Sequence, residues 1–369
     1  MSVEQAATGV ASGPSRVAAP DEAISMEELA LATRNSGLPL EALRYDVTPA
    51  GLHYLLIHYD VPAVDPAAWA LDVDGRVATP LRLTLSELQA RETVTTRVTL
   101  ECAGNGRARM HPRPVSQPWL VEAVGTAEWT GTPLAPLLRE AGLLDGAVSV
   151  VFTGADHGIE RGEEQDYQRS LRIGDALSSE VLLAWEMNGQ PLPPQHGFPL
   201  RLVVPGWYGM ASVKWLTTVT VLDSEFEGYQ MRAYRRRQEQ GEEGEPLTRI
   251  DPRALVMPPG FPDFMSRTRF VRAGRVVLEG RAWSGWAPVD AVEVSTDRGA
   301  SWHAAAVEPA PSPRSWSRWT SVWEPQPGRY VLSARARDAS GRVQAVGQNW
   351  NRGGFANPLV QQVVVVVTA

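Results

Sequence analysis

The chain contains the stretch Thr99-Leu100-Glu101-Cys102-Ala103-Gly104-Asn105-Gly106-Arg107, which holds its single cysteine. The β-branched residues of Thr93–Leu100 predict a strand that leads directly into this stretch. Gly104 and Gly106 lie so close together that they disfavour a regular element and let the backbone approach another group. We therefore expect Cys102 on a loop at the end of a strand, where proteins often display reactive groups.

The composition describes a globular protein and excludes a nucleic-acid binder. The 369 residues are enough for two domains, and 43% of them are hydrophobic and 21% charged. The net charge is -7, and the one basic run, Arg235–Arg237, is diluted by Glu239, Glu242 and Glu243. We therefore expect this run at the surface and no nucleic-acid partner, since such proteins carry a basic stripe.

The sequence also predicts no membrane span and a cytoplasmic location. No apolar stretch approaches the roughly 20 residues that a membrane helix needs. The segment Met1–Pro20 is small and polar, with neither a twin arginine nor an apolar signal region. We interpret it as a tail.

Strands and short helices alternate irregularly in the first two thirds of the chain, which predicts an α+β domain. Helices are predicted for Ile24–Arg34, with Ser25 as N-cap, for Pro133–Ala141, and from Ser86 onward. Strands are predicted at Ala70–Gly75, Thr93–Leu100, Ser149–Thr153, Leu200–Val204 and Val213–Leu222.

The last third predicts a second, all-β domain. The segment Gln238–Pro262 turns to Glu, Gly and Pro, which predicts a linker that buries nothing. Strand-like runs then recur at the spacing of a β-sandwich: Val276–Leu278, Val289–Ser295, Arg318–Val322, Tyr330–Ala336 and Gln362–Val367. The last run is apolar on both faces, so we expect a central or covered strand. The resulting division is a tail and helix over 1–44 and domains over 45–245 and 246–369.

One cysteine cannot form an intramolecular disulfide. Cys102 is therefore a small buried hydrophobe, a nucleophile or a metal ligand. A nucleophile would need a histidine base nearby, whereas a soft metal would need only the thiolate.

Several motifs, in the right order, resemble the sulfite oxidase family. Leu100–Arg107 resembles the loop that binds molybdenum in that family. His196–Arg201, continuing through Val204–Gly206 to Ser212–Leu216, resembles the pterin-binding stretch, and Leu183–Leu192 fits the same region. The family's dimerisation domain is matched by Gly280–Gly285, Val294–Asp297 and Trp350-Asn351.

The resemblance implies a molybdopterin-binding α+β domain followed by an immunoglobulin-like sandwich that pairs two subunits into a homodimer. Cys102 would be the one protein ligand to molybdenum, and the sulfurs of the pterin would complete the soft environment. The family's cofactor-contact positions are occupied by Tyr54, His58, Asp156, His196, Arg201, Ser212, Val213 and Lys214. Arg201 and Lys214 suit the phosphate of the cofactor. The many tryptophans and the apolar last strand could serve either a dimer interface or an internal core.

The substrate positions follow from the same resemblance. With Cys102, Arg107 and Tyr167 would form the catalytic set, and the tyrosine hydroxyl would bond to the transferred oxygen. Trp119 matches an aromatic wall, and Arg352 matches an arginine that reaches in from the second domain.

One segment departs from the family pattern. His53–His58 corresponds to a family segment that reads Phe-Phe-x-Arg-Asn-His, and Leu56 stands where the anion-binding arginine is expected. Loss of one charge-assisted contact weakens the binding of a dianion by about 1.5–3 kcal/mol. We therefore expect a less charged or bulkier sulfur compound than sulfite in this pocket.

The predicted function is two-electron oxygen-atom transfer by a molybdenum-cofactor oxidoreductase, with sulfite or a related small anionic or sulfur-containing compound as substrate. No Cys-x-x-Cys-His motif is present, so we expect an external electron acceptor such as a cytochrome or another carrier. The alternatives are a reductase of an S-oxide, N-oxide or nitrate, and a molybdopterin carrier without turnover. A non-catalytic β-sandwich binding protein would hold no metal and would be indifferent to Cys102→Ser.

Overall fold

The computed structural model of the protein describes residues 16–369 and consists mainly of strands, with few and short helices. The α-helices are α1 (Met26–Arg34), α2 (Leu85–Gln89), α3 (Leu134–Ala141), α4 (Ile173–Ala176) and α5 (Tyr229–Ala233). Single 3-10 turns lie at Leu40–Arg44, Ala50–Leu52, Arg107–Arg109, Pro194–His196 and Gly209–Ala211. Most of the predicted N-terminal tail lies outside the described residues.

The first strands are β1 (Ala70–Gly75), β2 (Leu81–Thr84), β3 (Val94–Glu101), β4 (Val124–Pro133), β5 (Ser149–Glu160), β6 (Glu163–Arg172), β7 (Leu182–Met187), β8 (Gln190–Pro191), β9 (Arg201–Val203), β10 (Leu216–Leu222), β11 (Arg235–Arg236) and β12 (Glu245–Pro246). The later strands are β13 (Arg253–Val256), β14 (Phe261–Pro262), β15 (Arg269–Arg272), β16 (Val276–Trp283), β17 (Val289–Ser295), β18 (His303–Ala304), β19 (Ala306–Val307), β20 (Ser317–Trp323), β21 (Gly328–Asp338) and β22 (Val363–Thr368).

Two predicted helices, α1 and α3, end at the residues that the sequence predicts. Ser25 caps α1 by accepting a hydrogen bond from the Glu28 amide, and the Glu28 carboxylate accepts one from the Ser25 amide at 2.9 Å. This reciprocal capping box satisfies amides that the first helical turn leaves free. Gly142 ends α3 in the left-handed conformation, at φ +72°.

Two sheets form the N-terminal part of the fold. One has the strand order β2-β1-β10-β5-β6, and the other has β3-β4-β7-β8 with β9 paired to β7. The inner face of the first sheet packs against α3 and against residues of β7 and β9 in one apolar core. The predicted α+β character is therefore present, but strands dominate it.

Two further sheets, which we call the C-terminal sheets, have the orders β13-β16-β20-β19 and β14-β15-β22-β21-β17-β18. An apolar core lies between them. In β22, Val363, Val365 and Val367 are buried, and the strand pairs with β15 on one side and β21 on the other. The predicted central position of this strand is confirmed.

The structure corrects three predictions of local structure. The predicted linker Gln238–Pro262 contains β13, and all four residues of this strand are buried against β16. The prediction was wrong because this short apolar run is flanked by polar sequence. Arg235–Arg236, expected at the surface, form a half-buried strand that pairs with the exposed strand Glu245–Pro246. The predicted strand Val213–Leu222 begins only at Leu216, since Trp215 adopts φ +49°.

Within residues 16–369, no helix combines the length and the apolar character that crossing a membrane requires.

Candidate active site

A cleft of about 630 Å³, counted with its opening to solvent, lies where β3 ends. Its lining residues are His53, Tyr54, Leu56, His58, Leu100, Cys102, Ala103, Asp156, Tyr167, His196, Arg201, Gly209, Met210, Ser212, Lys214 and Tyr234. The structure therefore brings together the cysteine and most of the site residues predicted from the sequence, although they come from distant parts of the chain.

Cys102 lies on the predicted loop directly after β3. Its amide donates to the Ala123 carbonyl at 2.9 Å, and its carbonyl accepts from the Asn105 amide at 3.0 Å. The side chain is buried and packs against Trp119. Burial raises the pKa of the thiol, while the charge of Arg107 acts in the opposite direction. Without a ligand the thiol is neutral, and a metal would displace its proton.

Arg201 supplies a buried positive charge to the cleft. Its guanidinium lies 4.6 Å above the Trp129 ring and donates to the carbonyls of His196 at 3.0 Å and Ser212 at 3.2 Å. Burial lowers its pKa to about 10. Neutral carbonyl groups thus position the guanidinium without neutralising its positive charge, which can still attract an anion.

Lys214 supplies a second basic group, a partly buried amine. Its Nζ donates to the Leu56 carbonyl at 2.8 Å and the Gln195 carbonyl at 3.2 Å. Burial lowers its pKa to about 7, with Arg201 acting in the same direction and Asp156 against it. The amine can therefore gain a proton when an anion binds.

Other polar groups of the cleft lack partners. Asp156 Oδ1 and His53 Nε2 are buried and have no hydrogen bond among the described residues. Burial raises the pKa of Asp156 to about 6, and Lys214 acts against this. A buried polar atom without a partner costs free energy, and a bound molecule with matching polar groups would satisfy both of these atoms.

The histidines of the cleft are neutral at pH 7. Burial lowers the pKa of His53 to about 4, that of His58 to about 3 and that of His196 to about 2. Each can therefore both donate and accept a hydrogen bond.

Tyr167 lines the cleft and donates its hydroxyl hydrogen to the Met210 carbonyl at 2.9 Å. Its ring lies 4.9 Å from that of His58, whose Nε2 lies 2.9 Å from the Tyr234 hydroxyl oxygen. These side chains form one aromatic wall.

Arg107 and Trp119 lie beside the cysteine, outside the cleft lining. Arg107 is buried and donates to the carbonyls of Gln117 at 3.0 Å and Gly353 at 3.1 Å. Its guanidinium lies 5.1 Å from the centre of the Phe355 ring. Trp119 packs directly on Cys102. Both are close enough to influence the thiol.

The structure does not bring Val213 or Arg352 to the cleft. The Val213 side chain is fully buried in the apolar core, and its carbonyl accepts from the Leu202 amide at 2.8 Å. The Arg352 side chain lies 3.4 Å from Gln240 Oε1. Both residues were assigned by position in a motif, which does not fix the direction of a side chain.

Met210 and Tyr234 line the cleft without having been predicted. Met210 lies between two recognised motifs, so its position could have drawn attention to it. Tyr234 follows α5 in a segment without a motif, and no sequence signal points to it.

The comparisons with known proteins agree with this geometry. Residues 58–230 match the family model described as "Oxidoreductase molybdopterin binding domain". The chain is 37% identical to sulfite oxidase of Gallus gallus over 327 residues, which cover 83% of this chain and 70% of that relative. It is 30% identical to nitrate reductase [NADH] 1 of Oryza sativa subsp. japonica, over 84% of this chain and 37% of the relative.

The fold is similar to that of the sulfane dehydrogenase SoxCD from Paracoccus pantotrophus. The TM-score is 0.79, the match covers 99% of this chain and 92% of that chain, and the sequences are 24% identical. At this identity the likeness shows a shared fold alone. The family model and the sequence relatives lead to one conclusion: the chain belongs to the sulfite oxidase family of molybdopterin-dependent oxidoreductases.

Proposed function

We propose that this molybdopterin oxidoreductase holds molybdenum through Cys102 and transfers an oxygen atom to a small sulfur compound. One observation carries the proposal: the only thiol of the chain lines the same cleft as the basic groups of Arg201, which is buried, and Lys214, which is partly buried. A soft ligand for a metal and a positive site for phosphate are thus combined in one cavity.

The residues of the cleft fit the family's cofactor. Asp156 Oδ1 and His53 Nε2 are buried without partners, so the cleft offers an acceptor and a ring nitrogen to a polar heterocycle. Arg201 and Lys214 donate only to neutral carbonyls in the hydrogen bonds described above, so both can attract phosphate. Ser212 and His196 line the same cleft and would complete the cofactor contacts, together with Tyr54 and His58.

When bound, the cofactor supplies a two-electron exchange of an oxygen atom with the substrate. Tyr167 would orient the substrate through its hydroxyl, which hydrogen-bonds to a backbone carbonyl in the described structure. Arg107 would stabilise negative charge beside Cys102, since its guanidinium is buried and lies near the thiol. Trp119 packs on the thiol and would exclude water from that side. A substrate role for Arg352 stays a prediction.

Leu56 limits the charge of the substrate. It lines the cleft and packs in the same apolar cluster as Cys102 and Trp119. An apolar side chain at this position stabilises an apolar group of the substrate better than a second negative charge. We therefore propose a sulfur compound that is less charged or bulkier than sulfite.

Nitrate reduction is a second candidate, because a nitrate reductase is among the relatives at 30% identity. The reaction direction separates the two candidates. Oxidation of a sulfur compound would reduce an artificial electron acceptor, whereas nitrate reduction would consume electrons from an artificial donor.

The surrounding architecture completes the proposal. We propose a molybdopterin-binding domain over 45–245 and a dimerisation domain over 246–369, which the two packed C-terminal sheets support as an immunoglobulin-like sandwich. An external carrier would accept the electrons. The homodimer and the cytoplasmic location stay predictions, and sedimentation would test the first.

The test is a substrate screen on purified protein expressed with molybdate. We expect bound molybdenum and reduction of the metal by at least one sulfur compound, with the reduction lost in Cys102→Ser. Protein without molybdenum and unaffected by this substitution would support a non-catalytic binding protein. Bound molybdenum that no substrate reduces or oxidises would indicate a carrier.

A further inference from the structure

The C-terminal sheets hold the loop that carries Cys102. We propose that Glu101, fixed by Arg253 and Trp283, is a positioning residue that sets the place of the Cys102 sulfur in the cleft. Retention of the metal would then depend on the C-terminal sheets. This inference rests on the proposed role of Cys102 as metal ligand.

Glu101 makes its contacts in the protein interior. Its Oε1 lies 2.9 Å from Arg253 Nε, in an ion pair whose side chains are 1% and 2% exposed. The Arg253 Nε–H makes no hydrogen bond among the described residues, so its contact with the carboxylate is an ion pair only. The Trp283 Nε1–H donates to Glu101 Oε2 at 2.7 Å, and the side-chain amide of Asn105 donates to Glu101 Oε1 at 3.0 Å. Arg253 of β13 and Trp283 of β16 thus bind the carboxylate of Glu101, the residue directly before the cysteine.

The backbone of the same loop is bound by the C-terminal part of the chain. The Ala103 carbonyl accepts a hydrogen bond from the Ala356 amide at 2.8 Å. The Asn105 carbonyl accepts one from the Arg253 guanidinium at 3.3 Å, and the Gly106 carbonyl accepts one from the Asn357 side chain at 3.0 Å. An irregular turn leaves such carbonyls without regular partners, and buried ones must find others.

Gly106 shows how close this approach is. The residue has φ +94°, and a Cβ added to it would lie 2.7 Å from the Asn357 carbonyl oxygen. Any side chain would push the loop away from the C-terminal segment. The glycine is therefore required by the contact as well as by the turn.

The energetics favour a positioning role over a stabilising one. Desolvation of a buried ion pair commonly cancels its attraction, and well-packed apolar residues are often equally stable in its place. Such a pair does fix geometry, and a metal site needs its ligand held to within a fraction of an ångström. Because a single peptide unit separates Glu101 from Cys102, a shift of the first moves the second.

Trp283→Phe tests the proposal, because it removes the N–H donor and keeps an aromatic ring. Trp316→Phe is the matched control. Trp316 is buried in the same cluster, its ring lies 6.4 Å from that of Trp283, and its N–H goes to the Asp46 carbonyl at 2.9 Å instead of to Glu101. Both variants lose one indole hydrogen bond, and the unfolding midpoint should fall further for Trp283→Phe, because its acceptor is a buried carboxylate whereas that of Trp316 is a backbone carbonyl.

Two readouts other than turnover separate them. The first is the electron paramagnetic resonance signal of reduced molybdenum, and the second is the alkylation rate of Cys102 by iodoacetamide in metal-free protein. We expect Trp283→Phe to shift the signal and to raise the alkylation rate about tenfold, the factor that corresponds to about 1.5 kcal/mol of restraint lost with a hydrogen bond to a charged group. Trp316→Phe should match the wild type in both.

Arg253→Lys provides a second variant if Trp283→Phe does not fold. It keeps the charge but loses the branched donor to Asn105, so the same changes are expected. Equal signals and equal alkylation rates in the Trp283 and Trp316 variants would overturn the positioning role. Wild-type protein without molybdenum would instead overturn the proposed function, and the alkylation rates would still test the position of the thiol.

Discussion

The cleft and the core between the C-terminal sheets both lie inside the fold, yet polar side chains line the first and apolar side chains fill the second. The core consists of apolar side chains such as Leu332, Val365 and Ala336. The cleft is lined by buried Arg201, partly buried Lys214 and several neutral histidines, together with polar atoms that have no partner. Burial of such groups costs free energy unless a ligand satisfies them. The difference shows that stability resides mainly in the apolar core, while the cleft is organised for a bound molecule.

The largest expected effect comes from the core. Leu332→Ala removes a fully buried side chain, so the free energy of unfolding should fall by about 2–5 kcal/mol in a denaturant titration. Val277→Ala, at a side chain that is 53% exposed, should change it by less than about 0.5 kcal/mol. The folded Leu332 variant should still bind molybdenum. Loss of the metal without loss of stability would contradict the contrast.

The cleft should respond in the opposite way. Lys214→Met removes a partly buried amine, so the free energy of unfolding of metal-free protein should stay equal or rise. Cofactor affinity should fall about ten- to a hundredfold, because a charge-assisted contact with phosphate is lost. Pterin content after dialysis measures this loss. Arg172→Met, at an exposed ion pair with Glu225, should change neither quantity, and equal pterin loss in both variants would exclude a local role.

The pH dependence of cofactor binding sharpens the contrast. Burial lowers the pKa of Lys214 to about 7 in the metal-free protein, and a bound anion raises it again. Affinity should therefore decline above pH 7, by at most about tenfold per pH unit. Lys214→Met should abolish this slope, and an unchanged slope would assign it to another group. In the metal-free protein the same shift makes unfolding less favourable as pH rises above 7, because the unfolded state then binds more protons.

The smallest expected effect concerns substrate choice. Leu56→Arg places a cation beside the thiol, so the KM for sulfite should fall about tenfold. Leu56→Met keeps the apolar character and should leave this constant near the wild-type value. Steady-state kinetics with sulfite and with a bulkier sulfur compound would show the change. A KM for sulfite that does not fall in the arginine variant would remove Leu56 from substrate selection.

Local sequence signals predicted much of the fold. Ser25 and Gly142 mark the ends of helices through their own hydrogen-bonding and backbone preferences, and both positions are confirmed. The strand β13 was missed because four buried residues in a Glu- and Gly-rich segment carry no periodicity. Its burial depends on β16, a partner that the local sequence does not reveal.

The candidate site was predictable where motifs carry it. Cys102, Arg201 and Lys214 lie in such motifs, and the structure places all three in the cleft. Tyr234 lines the cleft only because of tertiary packing, so no local sequence pattern predicts its position. Val213 shows the converse, because its motif position is correct while its side chain faces the core.

The most direct test of the account is X-ray absorption at the molybdenum edge, on wild-type protein and Cys102→Ser expressed with molybdate. We predict that the wild type contains molybdenum with one more sulfur neighbour than any metal that the variant retains. Molybdenum with an identical sulfur shell in both proteins would contradict the role of Cys102, as would wild-type protein that contains none.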